Sequence, residues 1–340
     1  MLRLSVVIAT LNRPDCVQRC LDALLAQEPR PQQVIVVDSS PDSRTDDVVK
    51  EFMRTHGAQG FDDLIYQKNT DGYLCTPNSR NKGLLLATGD VIAMIDDDAF
   101  VREGWAARFL EAYETHGPEL AAVGGRVLNI GQPIPTDISP DTIGRFYPDG
   151  NITGHFDADA PGNIYVDHLM GANMSFRREA LARVGGFRQD QRFGVSGVRE
   201  ETEVFVRFQK LGLKVLYVPG AVVDHLGAPQ AFGNRFDLRY RFWTNRNHAI
   251  MAVRNHGGAA PILWRNIAKS SALSALSAGK KVGGAVAGLG VEGAGWVVGL
   301  AMGLNFLRKS GKNPILNDPL AQQIREKLSQ PNSVSADKNA

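Results

Sequence analysis

Leu4-Ser5-Val6-Val7-Ile8-Ala9 is a continuous apolar run without alternation, the pattern of a strand buried on both faces of a parallel sheet. Asn12 can cap the helix that follows, and Pro14 suits its first turn. Val17, Leu21, Leu24 and Leu25 form that helix's apolar stripe. Gln33 to Val37 reads as a second strand, closing on Asp38-Ser39-Ser40. This β-α-β opening predicts a doubly wound nucleotide-binding sheet, in which ligands sit beyond the C-terminal ends of the strands. Thr10, Asn12 and Asp38 lie at such ends. No G-x-G-x-x-G joins the first strand to the first helix, which disfavours a dinucleotide enzyme.

Further on, Val91 to Ile95 is another short buried strand, followed at once by Asp96-Asp97-Asp98. Side chains alternate along a strand, so Asp96 and Asp98 point one way and Asp97 the other. Paired carboxylates at a strand end suit a hard divalent cation, Mg2+ or Mn2+, shared with substrate phosphates. An acidic turn that keeps a strand end soluble explains the same residues equally well.

Other stretches weigh on that choice. Asp42 to His56 reads as a helix and Leu64 to Gln67 as a strand, and Gly72 to Gly83 opens a helix ending near Gly89. The guanidinium of Arg80 in that segment has the donor fork that phosphates prefer. Residues 129–165 are rich in Gly, Pro and Asp and longer than an ordinary connection, as a lid or acceptor-binding loop is. Arg199-Glu200-Glu201-Thr202-Glu203 starts a helix whose dipole favours acids, although three carboxylates repel one another without a nearby donor. Val215 to Val223 leads to Asp224-His225, a histidine where a strand-end site residue would be.

Composition sets the outer limits. At 340 residues, 43% hydrophobic and 22% charged, the chain has room for a full α/β core. Its three cysteines give no disulfide framework, in keeping with a reducing, cytoplasmic setting. The net charge of +2 hides an asymmetry: residues 227–312 hold 12 Lys and Arg against 2 acids. Basic and aromatic residues alternate there, but no nucleic-acid motif is present and no nucleic-acid partner is expected. Val282 to Leu307 is apolar but broken by Glu292 and many glycines. It reads as interfacial helices on an anionic inner membrane face, with contact between subunits of a homo-oligomer as the alternative.

Together these motifs resemble the family-2 inverting glycosyltransferases of the GT-A fold, over about residues 4–227. Ser79-Arg80-Asn81-Lys82-Gly83 is similar to the family's Ala-Arg-Asn-x-Gly element, and Asp96-Asp97-Asp98 to its Asp-x-Asp metal motif. Gly171-Ala172-Asn173 with Arg177-Arg178 and Gly185-Gly186-Phe187 resembles its acceptor-side signature. The span from Glu200 to His225 resembles the pattern Glu-Asp-x-Asp-Leu, then Arg, Gly, Pro and His. Two departures stand out: Asp38-Ser39 replaces paired acids, and Glu201 replaces the catalytic Asp.

The resemblance implies a doubly wound, mostly parallel sheet flanked by helices, with a helical basic C-terminal extension. Residues 1–98 would be the nucleotide-sugar half and 99–230 the acceptor and catalytic half. Residues 231–312 would form the extension and 313–340 a partly disordered tail. It further implies a nucleotide-diphosphate sugar, UDP first, on Thr10, Asn12, Asp38, Arg80, Asn81 and Asp97. Mn2+ or Mg2+ would sit on Asp96, Asp98 and His225, and a glycan or lipid-linked acceptor near Gly171, Asn173 and Arg177. Glu201 is the implied general base for transfer of a hexosyl or deoxyhexosyl group, with Glu200 as the alternative. Outside the family, a nucleotidyltransferase would need a Gly-rich basic loop after strand one, which Thr10-Leu11-Asn12-Arg13-Pro14 is not. A non-catalytic nucleotide-sugar binder is the remaining reading.

Overall fold

A computed structural model describes residues 2–70, 75–148, 151–189, 192–193, 196–227, 238–256, 282–310 and 318–330. The chain opens as the apolar runs require: β1 (Leu4–Thr10), α1 (Pro14–Leu25), β2 (Gln33–Asp38), α2 (Arg44–His56) and β3 (Asp63–Lys68). Next come α3 (Thr76–Leu86), β4 (Val91–Asp96), β5 (Ala99–Val101), α4 (Trp105–Thr115) and β6 (Leu120–Asn129). After a long connection follow β7 (Ile164–Val166), β8 (Asn173–Arg177), α5 (Arg178–Val184) and the short pair β9 (Arg192–Phe193) and β10 (Ser196–Gly197). Then α6 (Glu200–Lys210) leads into β11 (Lys214–His225). Three helices close the described chain: α7 (Leu238–His256), α8 (Val282–Ser310) and α9 (Pro319–Ser329).

The main sheet has the order β3-β2-β1-β4-β8-β6-β11-β5, with β7 also on β11. β1, β2, β3 and β4 are mutually parallel, and β6 is parallel to β11. β8 is antiparallel to both β4 and β6, so those two run in the same direction. One edge of the sheet therefore collects the C-terminal ends of six strands. β8 also joins residues 1–98 and 99–230 into one continuous sheet.

Alternation along β1 builds two cores. Leu4, Val6 and Ile8 face α1, α2 and α4, including Leu21, Phe52 and Trp105. Val7 faces the opposite layer with Phe176, Phe205, Phe208, Ile324 and Leu328. The last two come from α9, so part of the expected tail belongs to the core. Residues 331–340 lie outside the described chain.

Two local features differ from expectation. Asn12 does not cap α1: it takes φ +59°, and Arg13 holds the N-cap position without a side-chain bond. The backbone N–H of Asn12 instead donates to Ser40 Oγ at 2.7 Å. β11 is one strand across Pro219-Gly220, with its register against β6 shifting between Val218 and Val222. At that bulge Gly125 lies against β11, and a Cβ there would sit 1.8 Å from Ala221 O. Backbone cannot yield as a side-chain tip does. Gly125→Ala should therefore destabilise the fold by about 3 kcal/mol, at the upper end of overpacking effects, read as a fall in urea midpoint.

Candidate active site

Strand ends and registers build the site. Thr10 lies opposite Asp38, Ala9 opposite Asp96, and His225 opposite both Asn129 and Ala99. Asp96, Asp98 and His225 thereby bring one ligand atom each within 4.8 Å of one another. His225 Nδ1 is 2.9 Å from Asn129 Oδ1, which can only accept, so Nδ1 carries a proton. Nε2 stands 3.4 Å from Asp98 Oδ1. With the ring neutral, Asp96, Asp98 and this Nε2 form an oxygen-and-imidazole donor set of the kind a divalent cation such as Mn2+ takes. The Asp96 side chain is 33% exposed, which leaves one side of the cluster open for substrate oxygens.

Asp97 turns away, as alternation requires. Its carboxylate accepts from Thr10 Oγ1 and Arg13 Nη1, each at 2.8 Å, and Arg13 also reaches Asp98 at 3.4 Å. Burial pushes the Asp97 carboxyl up to about 7, with Arg13 pulling down against it and Asp98 adding to the rise. The Cys20 thiol donates to Asp97 O at 3.1 Å and holds the turn from below.

Arg80 is buried rather than open to solvent. Its Nη1 donates to Glu200 Oε1 at 2.9 Å, and Nη2 to Asp96 Oδ1 and Gly171 O at 3.1 Å each. A Cβ at Gly171 would lie 2.7 Å from Nη2, so the small residue gives the guanidinium its room. Arg199, at φ +69°, turns the chain into α6 and sets both glutamates in its first turn. The Glu200 carboxyl is pushed well up by burial and by Glu201, against the pull of Arg80. Its Oε2 is buried with no hydrogen-bond partner among the described residues. Glu201, half-buried, stands at the rim.

Other expected site residues serve the frame. Asp38 Oδ1 accepts from Ser40 N–H at 2.8 Å and from Ser40 Oγ. Its Oδ2 takes Tyr66 at 2.8 Å and Lys68 at 3.2 Å. Asn12 is exposed at the rim. Asn81 clamps the backbone of Phe187 through both amide atoms, at 2.8 Å each. Asn173 accepts from Trp105 Nε1 at 2.8 Å and donates to Arg126 O and Ala221 O at 2.9 Å. Arg177 lies at the opposite end of β8, donating to Leu120 O at 3.2 Å and Tyr113 O at 3.0 Å. The structure thus places Arg177 away from the acceptor side, because the five residues of β8 carry it to the other edge of the sheet. Arg13 and Asn129 are the residues that sequence reasoning missed. The strand-end rule reaches Arg13, while nothing in the residues around Asn129 marks it as the partner of His225.

Part of the long connection folds beside α6. Phe146 bridges Ile152, and Phe146 N–H donates to Asp167 Oδ2 at 2.9 Å. His168 Nε2 donates to Thr153 O at 2.8 Å, and its ring meets Phe156 edge-on at 5.3 Å.

A profile described as "Glycosyl transferase family 2" matches residues 5–185, more than half of the chain. The chain belongs to that family. Glucosyl-dolichyl phosphate glucuronosyltransferase of Haloferax volcanii is 29% identical over 240 residues, 66% of this chain and 69% of that protein. Succinoglycan biosynthesis protein ExoM of Rhizobium meliloti is 29% identical over 268 residues, 75% of this chain and 77% of ExoM. Among solved structures, the mannosyltransferase PcManGT of Pyrobaculum calidifontis, in complex with GDP-Man and Mn2+, aligns with a TM-score of 0.52 at 18% identity. That alignment covers 96% of this chain and 85% of the other, and it speaks for the fold. The family-2 chain is a glycosyltransferase on a GT-A-type sheet, and its donor is a nucleotide sugar.

His168 gives the fold a pH signature. Burial lowers its pKa to about 4, against an ordinary value near 6.5. Between those values the unfolded chain binds a proton that the native chain refuses, so stability is intact above about pH 6.5 and declines toward pH 4. The slope from this residue should approach about 1.4 kcal/mol per pH unit. Urea midpoints measured across that window should show the decline in the wild type, and His168→Gln should flatten it.

Proposed function

We propose that this chain is a metal-dependent inverting transferase that moves a hexosyl or deoxyhexosyl group from a nucleotide-diphosphate sugar to an acceptor hydroxyl. The observation that carries the reading is the link from the Asp96, Asp98 and His225 cluster, through Arg80, to Glu200, the neighbour of Glu201 in the first turn of α6. In this reading the nucleoside lies along Thr10, Asn12 and Asp38, where β1 and β2 end. Asp97, held by Thr10 and Arg13, forms the floor beneath it. Asp96, Asp98 and His225 would hold Mn2+ or Mg2+, which supplies positive charge to the diphosphate as it leaves.

Glu201 is the better base of the two glutamates. Glu200 Oε1 is committed to Arg80 inside the fold, whereas Glu201 is half-buried at the rim where an acceptor can approach. Glu201 takes the proton from the acceptor hydroxyl. That oxygen bonds to the anomeric carbon as the bond to the diphosphate oxygen breaks on the opposite face, so configuration inverts.

A nucleotide-sugar with Mn2+ accompanies the fold relative PcManGT, and UDP, GalNAc and Mn2+ accompany GalNAc-T7, which aligns with a TM-score of 0.57 at 15% identity. Those complexes support a UDP- or GDP-sugar, with UDP as first candidate. The name of the Haloferax volcanii relative, a glucosyl-dolichyl phosphate glucuronosyltransferase, supports a lipid-linked glycan as acceptor.

Two measurements test the reading. Thermal shift over a panel of nucleotide sugars should show one nucleotide class raising the melting temperature, with the rise dependent on Mn2+ and lost in Asp98→Asn. Equal shifts with and without Mn2+ would remove the metal from the mechanism. With the donor so identified, Glu201→Gln should lower kcat by about 10²–10⁴-fold while donor affinity holds. A near-normal Glu201→Gln beside an inactive Glu200→Gln would move the base to Glu200.

A further inference from the structure

The packing of α8 fixes which of its faces looks outward. A Cβ on Gly295 would lie 2.4 Å from Phe242 O, on Gly299 2.3 Å from Arg246 O, and on Gly303 2.8 Å from Val253 Cβ. This side of α8 is therefore pressed against α7. Trp296 is buried with it, donating from Nε1 to Asn245 Oδ1 at 2.9 Å, and Glu292 pairs with Arg241 at 2.7 Å. The opposite side presents Ala294, Val297, Val298, Ala301 and Leu304, with Val297 64% and Leu304 60% exposed. Between Gly290 and Leu304 no charge falls on this face, and Arg308 is the first that does. A helix apolar on its inner and its outer side needs something besides water against it. Among the described residues, no part of the chain covers it.

Charge decides between the candidate occupants. Arg246 and Arg254 of α7 are buried and Arg241 pairs with Glu292, so the charges these helices show to solvent are basic: Arg239 and Arg308 are exposed. Lys280-Lys281 and Lys309 flank α8 in sequence. A second copy would bring the same basic rim against this one, whereas an anionic lipid surface complements it. No helix among the described residues is long and apolar enough to cross a membrane. We propose that the outward face of α8 is a membrane-contact surface, lying in the headgroup layer of an anionic bilayer with Val297 and Leu304 turned toward the acyl chains. α7 is bonded to the catalytic part of the chain. Asn247 Nδ2 donates to Val198 O at 2.9 Å, and Arg254 pairs with Glu203 at 3.3 Å, both side chains 2% exposed. Docking of α8 thus holds Glu200 and Glu201 at a set height above the lipid. The surface itself stands on the helix face alone; only its use, delivery of a lipid-linked acceptor, rests on the proposed transferase reading.

Flotation of the full chain with vesicles of phosphatidylglycerol and phosphatidylcholine in equal parts tests it. The wild type should rise with these vesicles and not with phosphatidylcholine alone. The double variant V297D/L304D, at exposed positions, should partition about a hundredfold less or weaker still, since two apolar side chains are withdrawn from the acyl layer. Circular dichroism and the thermal shift given by the nucleotide sugar should match the wild type, which separates lost docking from lost folding. Wild type that stays down with anionic vesicles, or variants that float equally, would overturn the proposal. A wild-type dimer in sedimentation that V297D/L304D splits into monomers, with no vesicle binding, would assign the face to a second copy instead. Failure of the transferase reading would leave the flotation result unchanged.

Discussion

The buried guanidinium of Arg80 is the contact on which the rest of the site depends. A cation taken out of water costs several kcal/mol unless its donors are met, and here Glu200, Asp96 and Gly171 O meet them. Those three partners come from α6, from the end of β4 and from the turn before β8. The ion pairs thus tie the helix that carries the glutamates to the strand that carries the cation ligands. Truncating Arg80 would leave the buried carboxyl of Glu200 and the partly exposed one of Asp96 without their counter-charge, so the whole edge of the sheet is conditioned on one side chain.

Much of this arrangement was legible in the sequence because it follows from strand direction. Parallel strands all deliver their C-terminal residues to one edge, so apolar runs ending in Thr10, Asp38, Asp96 and His225 already imply a common site. What sequence could not supply were the side chains that turn inward. Asn81 and Asn173 sit in motifs that resemble binding elements, yet their amides are spent on Phe187, Trp105, Arg126 and Ala221. Arg177 was misplaced for a simpler reason. A short antiparallel strand begins at the site and ends across the sheet, so residues four apart in sequence belong to opposite edges. Arg80 shows the same limit from the other side: a guanidinium suits carboxylates as well as phosphates, and only burial tells which it has met.

The C-terminal helices divide their polarity in a way composition hides. α7 is rich in bases, but Arg246, Asn247, His248 and Arg254 are all buried. Its polar groups are spent on the catalytic part of the chain and on α8. α8 then carries the apolar surplus to the outside. Trp296 faces inward, and aliphatic side chains take the outer face. Charge asymmetry along the sequence is therefore a poor guide to which atoms lie at the surface.

α9 completes the argument for one cooperative body. Asp318 caps it, accepting from Leu320 N–H at 3.1 Å and Ala321 N–H at 3.3 Å. The side chains of Ile324 and Leu328 enter the same core as Phe205 and Phe208 of α6. Arg178, at the start of α5, donates to Leu328 O at 3.1 Å and Lys327 O at 2.8 Å, meeting the carbonyls that the end of α9 leaves open. Arg207 of α6 in turn holds Val184 O and Gly186 O, the corner where α5 stops. The C-terminal ends of α5 and α9 are thus closed by guanidinium groups from neighbouring helices, and the chain from α5 through α6 to α9 is held by polar contacts as well as by apolar contacts along its length. The first turn of α6 inherits that rigidity. Its glutamates can hold unfavourable burial and mutual repulsion because the helix beneath them has nowhere to go.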